Sequence, residues 1–129
     1  MINIDGNSLT INEVIRVARQ NESVGLSADG RRQIEASRAV VEKLLDSESP
    51  VYGISTGFGD LSRIWIPPAE REKLQRNLIL SHAAGVGEYL PEDGVRAAML
   101  LRANSLAKGY SGIRLQTMEM LLAMLNRCE

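Results

Sequence analysis

A chain of 129 residues with 44% hydrophobic and 24% charged positions is of ordinary globular composition and long enough for one core. Its net charge is −1 and no basic run is dense enough to follow a phosphate backbone, which argues against nucleic-acid binding. The single cysteine excludes an internal disulfide framework, and no stretch nears the ~20 apolar residues of a membrane span or shows the cationic start and apolar run of a secretory signal. The expectation is a cytoplasmic protein.

The first residues, Ile2 to Ile4, Asp5-Gly6-Asn7 and Ser8-Leu9-Thr10, read as a short strand, a turn and a second extended piece. Thr10 followed by Glu13 forms a capping box and opens a helix over 11–20, with Ile11, Val14, Ile15 and Ala18 on one stripe. Ser27 caps a second helix over 28–47, whose apolar positions are Ile34, Val40, Val41, Leu44 and Leu45. Pro50 stops it.

The next stretch, Pro50-Val51-Tyr52-Gly53-Ile54-Ser55-Thr56-Gly57-Phe58-Gly59-Asp60, holds three glycines and one proline, so it is not a helix. It is not a polar linker either, because Val51, Tyr52, Ile54 and Phe58 want burial. A loop of this kind folds onto a scaffold, where binding and catalytic groups collect. Its glycines match neither the P-loop nor the G-x-G-x-x-G spacing. Tyr52 is a half-buried anchor or a proton-transfer group. For a tyrosine to act as base at neutral pH its pKa must come down from ~10, a differential stabilisation of about 4 kcal/mol, to which glycine amides or a helix N-terminus can contribute.

Pro67-Pro68 begins a third helix, which Gly85 and Gly87 end. Leu74, Leu78 and His82 recur every four residues, so the lone histidine reads as a satisfied core residue on an apolar stripe. Ser81 beside it does not make a triad, since adjacent helix residues face different ways. One histidine and one cysteine far apart do not make a zinc site, and nothing local supports Cys128 with His82 as a nucleophile pair. Pro91 starts a fourth helix over 91–108, closed by Gly109, and Ser111 caps a fifth from 113 onward. Ala97-Ala98-Met99-Leu100-Leu101 is apolar on every side, and Met120-Leu121-Leu122-Ala123-Met124-Leu125 nearly so. Such helices are buried in something larger, so the chain is expected to be the front of a bigger helical protein or to pair with copies of itself. The fold class expected is all-α with a short extended pair at the front, helices two to five enclosing Tyr52 and His82.

Three stretches resemble the histidine and aromatic amino-acid ammonia-lyases. Val51-Tyr52-Gly53-Ile54-Ser55-Thr56-Gly57-Phe58-Gly59 is similar to the family's inner-loop motif. Leu74-Gln75-Arg76-Asn77-Leu78-Ile79-Leu80-Ser81-His82-Ala83-Ala84-Gly85-Val86-Gly87 is similar to its next block, and Asn104-Ser105-Leu106-Ala107-Lys108-Gly109-Tyr110-Ser111-Gly112-Ile113-Arg114 to a third. The resemblance implies a mostly helical enzyme that removes ammonia from an amino acid. Its electrophile is a 4-methylidene-imidazol-5-one ring (MIO) made from an internal Ala-Ser-Gly, with no metal. It implies Tyr52 as the base that takes the β-proton, Gly59 in the loop lining the substrate, and His82 against the substrate's ring. It further implies a homotetramer.

One departure matters: the chain contains no Ala-Ser-Gly. In the family that triad lies beyond a segment of this length, so residues 1–129 are expected to be an amino-terminal segment, inactive alone. Ser81-His82-Ala83-Ala84-Gly85-Val86-Gly87 favours histidine as substrate, whereas Ser55 and Leu106-Ala107-Lys108-Gly109 also suit tyrosine lyases or tyrosine 2,3-aminomutases. A different class of reading is a non-catalytic helical interaction module, its apolar helices serving assembly.

Overall fold

The computed structural model describes residues 1–45 and 50–127. The chain divides into two compact units, one built from residues 1–40 and 89–129 and the other from 41–88.

The first unit begins with β1 (Ile2–Ile4), α1 (Ile11–Gln20) and β2 (Val24–Leu26). The extended pair expected at the front forms, but residues 8–10 are not its second strand. β1 pairs in parallel with β2, Ile2 opposite Val24 and Ile4 opposite Leu26, with α1 as the crossover. The reason lies at Asp5, whose carboxylate accepts from the amides of Asn7 (2.7 Å) and Ser8 (2.8 Å). That turn delivers the chain to a helix cap rather than back along β1. On the other flank the Asn126 side chain substitutes for a third strand, its Oδ1 accepting from Val24 N and its Nδ2 donating to Val24 O, both at 2.8 Å.

The capping box forms as the spacing predicts: Glu13 N donates to Thr10 Oγ1, and Thr10 N donates to Glu13 Oε2. The α1 stripe sits differently from expectation. Val17 and Ala18 are buried, while Ile11 and Ile15 are exposed. The Thr10 amide, then its hydroxyl, then Arg16 hold the Glu13 carboxyl below its ordinary pKa. A proton therefore binds this group less tightly in the folded chain than in the unfolded one. Its stabilisation is complete above the unfolded carboxylate range and disappears as pH falls through the lowered folded value. Glu13→Gln, which keeps an acceptor without a charge, is expected to flatten the acid limb of a thermal-midpoint profile. An unchanged limb would remove Glu13 from the acid response.

Ser27 caps α2 (Ala28–Leu45), with Ser27 Oγ accepting from Gly30 N at 3.0 Å. The helix supplies Ile34 to the core. Residues 46–47, included in the expected helix, lie outside the described residues. α4 (Glu92–Ala107) and α5 (Leu115–Arg127) complete the unit. Gly109, with φ of 72°, follows α4 as the expected left-handed residue. A β-carbon there would meet Gln33 O at 2.5 Å, so this position needs glycine for room as well as for conformation. α5 starts at Leu115, not 113, and Ser111 does not cap it. Gly112 takes a positive φ of 62°, its amide donates to Ser37 Oγ at 2.9 Å, and Arg38 Nη1 donates to its carbonyl. These ties fix the approach to the helix.

Ile2, Ile4, Val17, Val24, Ile34, Leu100, Ala103, Leu106, Met118, Leu122 and Leu125 form one buried cluster. The two helices read as apolar on every side, or nearly so, each bury one face. Arg96, Leu100, Ala103 and Ala107 point inward from α4, while Leu101 stays half exposed; on α5, Met118, Leu122 and Leu125 are buried and Met120 is exposed. None of the described helices is long and apolar enough to cross a membrane.

The second unit carries the loop of residues 50–67 and α3 (Pro68–His82), which opens on Pro67-Pro68 as the sequence predicts. α3 ends at His82 with Ala83 as its cap residue, before Gly85. None of its residues is fully buried: Arg71, Leu74 and Leu78 share one half-buried face, while Ile79 and Leu80 are exposed.

Candidate active site

The loop is held by its own polar groups. Val51 O accepts from the amides of Ile54 (3.1 Å) and Ser55 (2.9 Å), and Val51 N donates to Ser55 Oγ at 2.9 Å. Gly53, at φ 73°, donates its amide to Thr56 Oγ1, and that hydroxyl donates to Gly57 O. Ser55 and Thr56 are almost fully buried, so their hydroxyls act as internal ties. A short antiparallel bridge, Thr56 to Trp65, closes the base through Gly57 N to Ile64 O and Ile66 N to Ser55 O. Arg71 of α3 fastens the far side, donating from Nε to Ile66 O and from Nη1 to Leu45 O, with its guanidinium 6.0 Å from the Trp65 ring centre.

This frame presents Tyr52. Its ring meets Phe58 edge-on, with centroids 6.0 Å apart and planes at 75°, yet the residue is 64% exposed. Within its own unit Tyr52 is therefore not buried. Nor do the nearby amides serve its oxygen, since Gly53 N and Ile54 N are taken up inside the loop.

Gly57 and Gly59 differ in why they are glycine. At Gly57 a β-carbon would lie 2.6 Å from Leu61 Cβ. At Gly59 nothing lies within 4 Å, but φ is 58° where the chain enters a single 3₁₀ turn, Gly59–Leu61. Gly59 therefore leaves open space beside Phe58 and Tyr52's loop.

His82 is exposed at the end of α3, which corrects its reading as a core histidine; the stripe it continues is half-buried at Leu74 and Leu78 and exposed from residue 79 onward. Its Nδ1 lies 2.9 Å from Ser81 Oγ and 2.9 Å from Leu78 O. The two neighbours therefore meet at one ring nitrogen although their Cβ directions diverge, without making a triad. Among the described residues no hydrogen bond or ring contact joins His82 to Tyr52 or Gly59. Cys128, considered with His82 as a nucleophile pair, lies outside the described residues. Among the described residues no cluster of three or more His, Cys, Asp or Glu could hold a metal ion.

The family model for aromatic amino acid lyases matches residues 9–128. The chain belongs to the aromatic amino acid lyase family. Over 127 residues it is 49% identical to histidine ammonia-lyase of Streptococcus gordonii, a match covering 98% of this chain and 25% of that enzyme. Among solved structures it is similar to histidine ammonia-lyase from Trypanosoma cruzi, with TM-score 0.87 and 40% identity over 97% of this chain and 24% of that one. It is also similar to tyrosine aminomutase from Streptomyces globisporus, with TM-score 0.87 and 35% identity over 97% and 24%. The chain therefore spans about a quarter of the length of the family members it matches.

Proposed function

We propose that this chain is the amino-terminal quarter of an ammonia-lyase that converts L-histidine to trans-urocanate, and that it is inactive by itself. Tyr52 takes the β-proton, the electrons of that C–H bond become the new carbon–carbon double bond, and the C–N bond breaks with its pair leaving on ammonia. The observation that carries this reading is the phenol of Tyr52, held out into solvent by a loop whose amides and hydroxyls are spent on its own shape. A base must reach its proton without the loop rearranging, and such a frame keeps the ring in place. In this reading the open space at Gly59 takes the substrate, and His82 meets the substrate's imidazole as the family resemblance implies.

In the ammonia-lyases the MIO group supplies an electrophile that makes the departing amine a better leaving group. The residues of this chain do not fit as its source, for there is no Ala-Ser-Gly among them. Assembly as a homotetramer in the cytoplasm belongs to the same proposal; exposed Leu101 and Met120 on the outer faces of α4 and α5 favour burial against further chain.

The test is a chimera in which residues 1–129 replace the matching quarter of the Streptococcus gordonii enzyme. Urocanate formed from histidine is expected, and none from the 129-residue chain alone. A folded chimera without turnover would support the interaction-module reading instead. The likeness to tyrosine aminomutase favours a second reading, in which ammonia returns to the adjacent carbon. A β-amino acid made from tyrosine by the chimera would select it.

A further inference from the structure

His82 is the only histidine in the chain, and the atoms around its Nδ1 limit which nitrogen can carry the proton. Leu78 O, 2.9 Å from Nδ1, is a carbonyl and can only accept. Were Nδ1 unprotonated, two lone pairs would face each other at that distance. Ser81 Oγ stands 2.9 Å from Nδ1 and 3.0 Å from the same carbonyl. If its hydroxyl hydrogen turned to Nδ1, the clash between Nδ1 and Leu78 O would remain. If Nδ1 carries hydrogen, every contact is satisfied: Nδ1–H points between Leu78 O and Ser81 Oγ, and the Ser81 hydroxyl donates to Leu78 O.

We propose that Ser81 and the Leu78 carbonyl lock the His82 imidazole as its Nδ1–H tautomer, so that Nε2 faces outward as a hydrogen-bond acceptor. Ser81 is thus a positioning residue, acting through His82. Neutral histidine free in water prefers the other tautomer, with hydrogen on Nε2, so the helix end reverses the default. The consequence for recognition rests on the proposed lyase reading: an outward acceptor pairs with a ring that donates, such as a protonated imidazole nitrogen or a phenol, and leaves a plain phenyl ring without a partner. Because the lock is local to one turn of α3, it survives whichever amino acid the complete site takes.

One histidine makes the test direct. In the 129-residue chain labelled with 15N-histidine, long-range proton–nitrogen correlation of the neutral ring is expected to show a protonated Nδ1 and a bare Nε2. Ser81→Ala should move the tautomer ratio about fivefold toward Nε2–H, the effect of one ordinary hydrogen bond. Ser81→Thr keeps a hydroxyl able to bond a carbonyl one turn back and should hold the ratio. A wild-type ring protonated on Nε2, or a Ser81→Ala ring identical to wild type, overturns the proposal. In the chimera Ser81→Ala should raise KM for histidine several-fold with kcat little changed. The nitrogen signature does not depend on turnover. An Nδ1–H ring in a chain whose chimera is inactive would defeat the lyase reading and leave the lock standing.

Discussion

Tyr52→Phe in the chimera is expected to cut kcat for histidine by about 10²- to 10⁴-fold, the usual worth of a positioned general base. The substitution deletes only the hydroxyl oxygen. The ring that remains still meets Phe58 edge-on, and none of the bonds that shape the loop involves the lost atom. Folding stability should therefore move by no more than about 0.5 kcal/mol, as for other surface changes that disturb no buried feature. The two measurements together separate chemistry from architecture. A large fall in turnover with an unchanged thermal midpoint places the proton transfer on the Tyr52 oxygen. Undiminished elimination of ammonia would take it away from Tyr52 and leave the residue as an anchor for the loop.

What could be read in advance from the amino-acid order was whatever depends on neighbours along the chain. Thr10 and Glu13 find each other because a capping box spans three residues, and Ser27 meets Gly30 for the same reason. Pro67-Pro68 opens α3 where a proline loses nothing. The loop around Tyr52 was visible as a built object because its glycines and apolar residues contradict both helix and linker.

Long-range pairings left no such mark. β1 takes β2 across α1, and the amide of Asn126 completes that sheet from 102 residues away, a pairing no local pattern encodes. Ser55, Thr56 and Arg71, which hold the loop, read as ordinary polar residues until their partners are known. The directions of adjacent helix residues argue against a Ser81–His82 triad, and none forms, yet they do not forbid a hydrogen bond between the two. A short hydroxyl and a ring nitrogen both reach back to one carbonyl of the preceding turn, and there they meet.

Arg96 is the residue most thoroughly hidden from sequence reasoning, and its loss is expected to be the most destabilising change short of emptying the core. It lies four residues before Leu100 and seven before Ala103, on the buried stripe of α4, and is itself 5% exposed. Its Nε and Nη2 donate to Val17 O at 3.2 and 2.9 Å, and its Nη1 donates to Leu125 O at 2.9 Å. Val17 lies in the last turn of α1, where the following amide, Asn21 N, donates to Arg16 O instead, and Leu125 lies in the last described turn of α5. The guanidinium thus sits between the negative end of α1 and the Leu125 carbonyl of α5, which stabilises its charge out of water, and only a planar fork can serve both at once. Arg96→Met keeps most of the stem's volume but takes a charged donor from both carbonyls, each at about 1–3 kcal/mol. Removing a buried charge offsets part of that, so a net loss of about 3 kcal/mol is expected. Urea unfolding followed by far-ultraviolet circular dichroism reads it as a lowered midpoint. Tryptophan fluorescence is the wrong probe, because the one tryptophan, Trp65, belongs to the other unit. Arg96→Lys keeps the charge between the helix ends but not the fork, and should fall between the two. A midpoint unmoved by Arg96→Met would mean that the ends of α1 and α5 are satisfied without it.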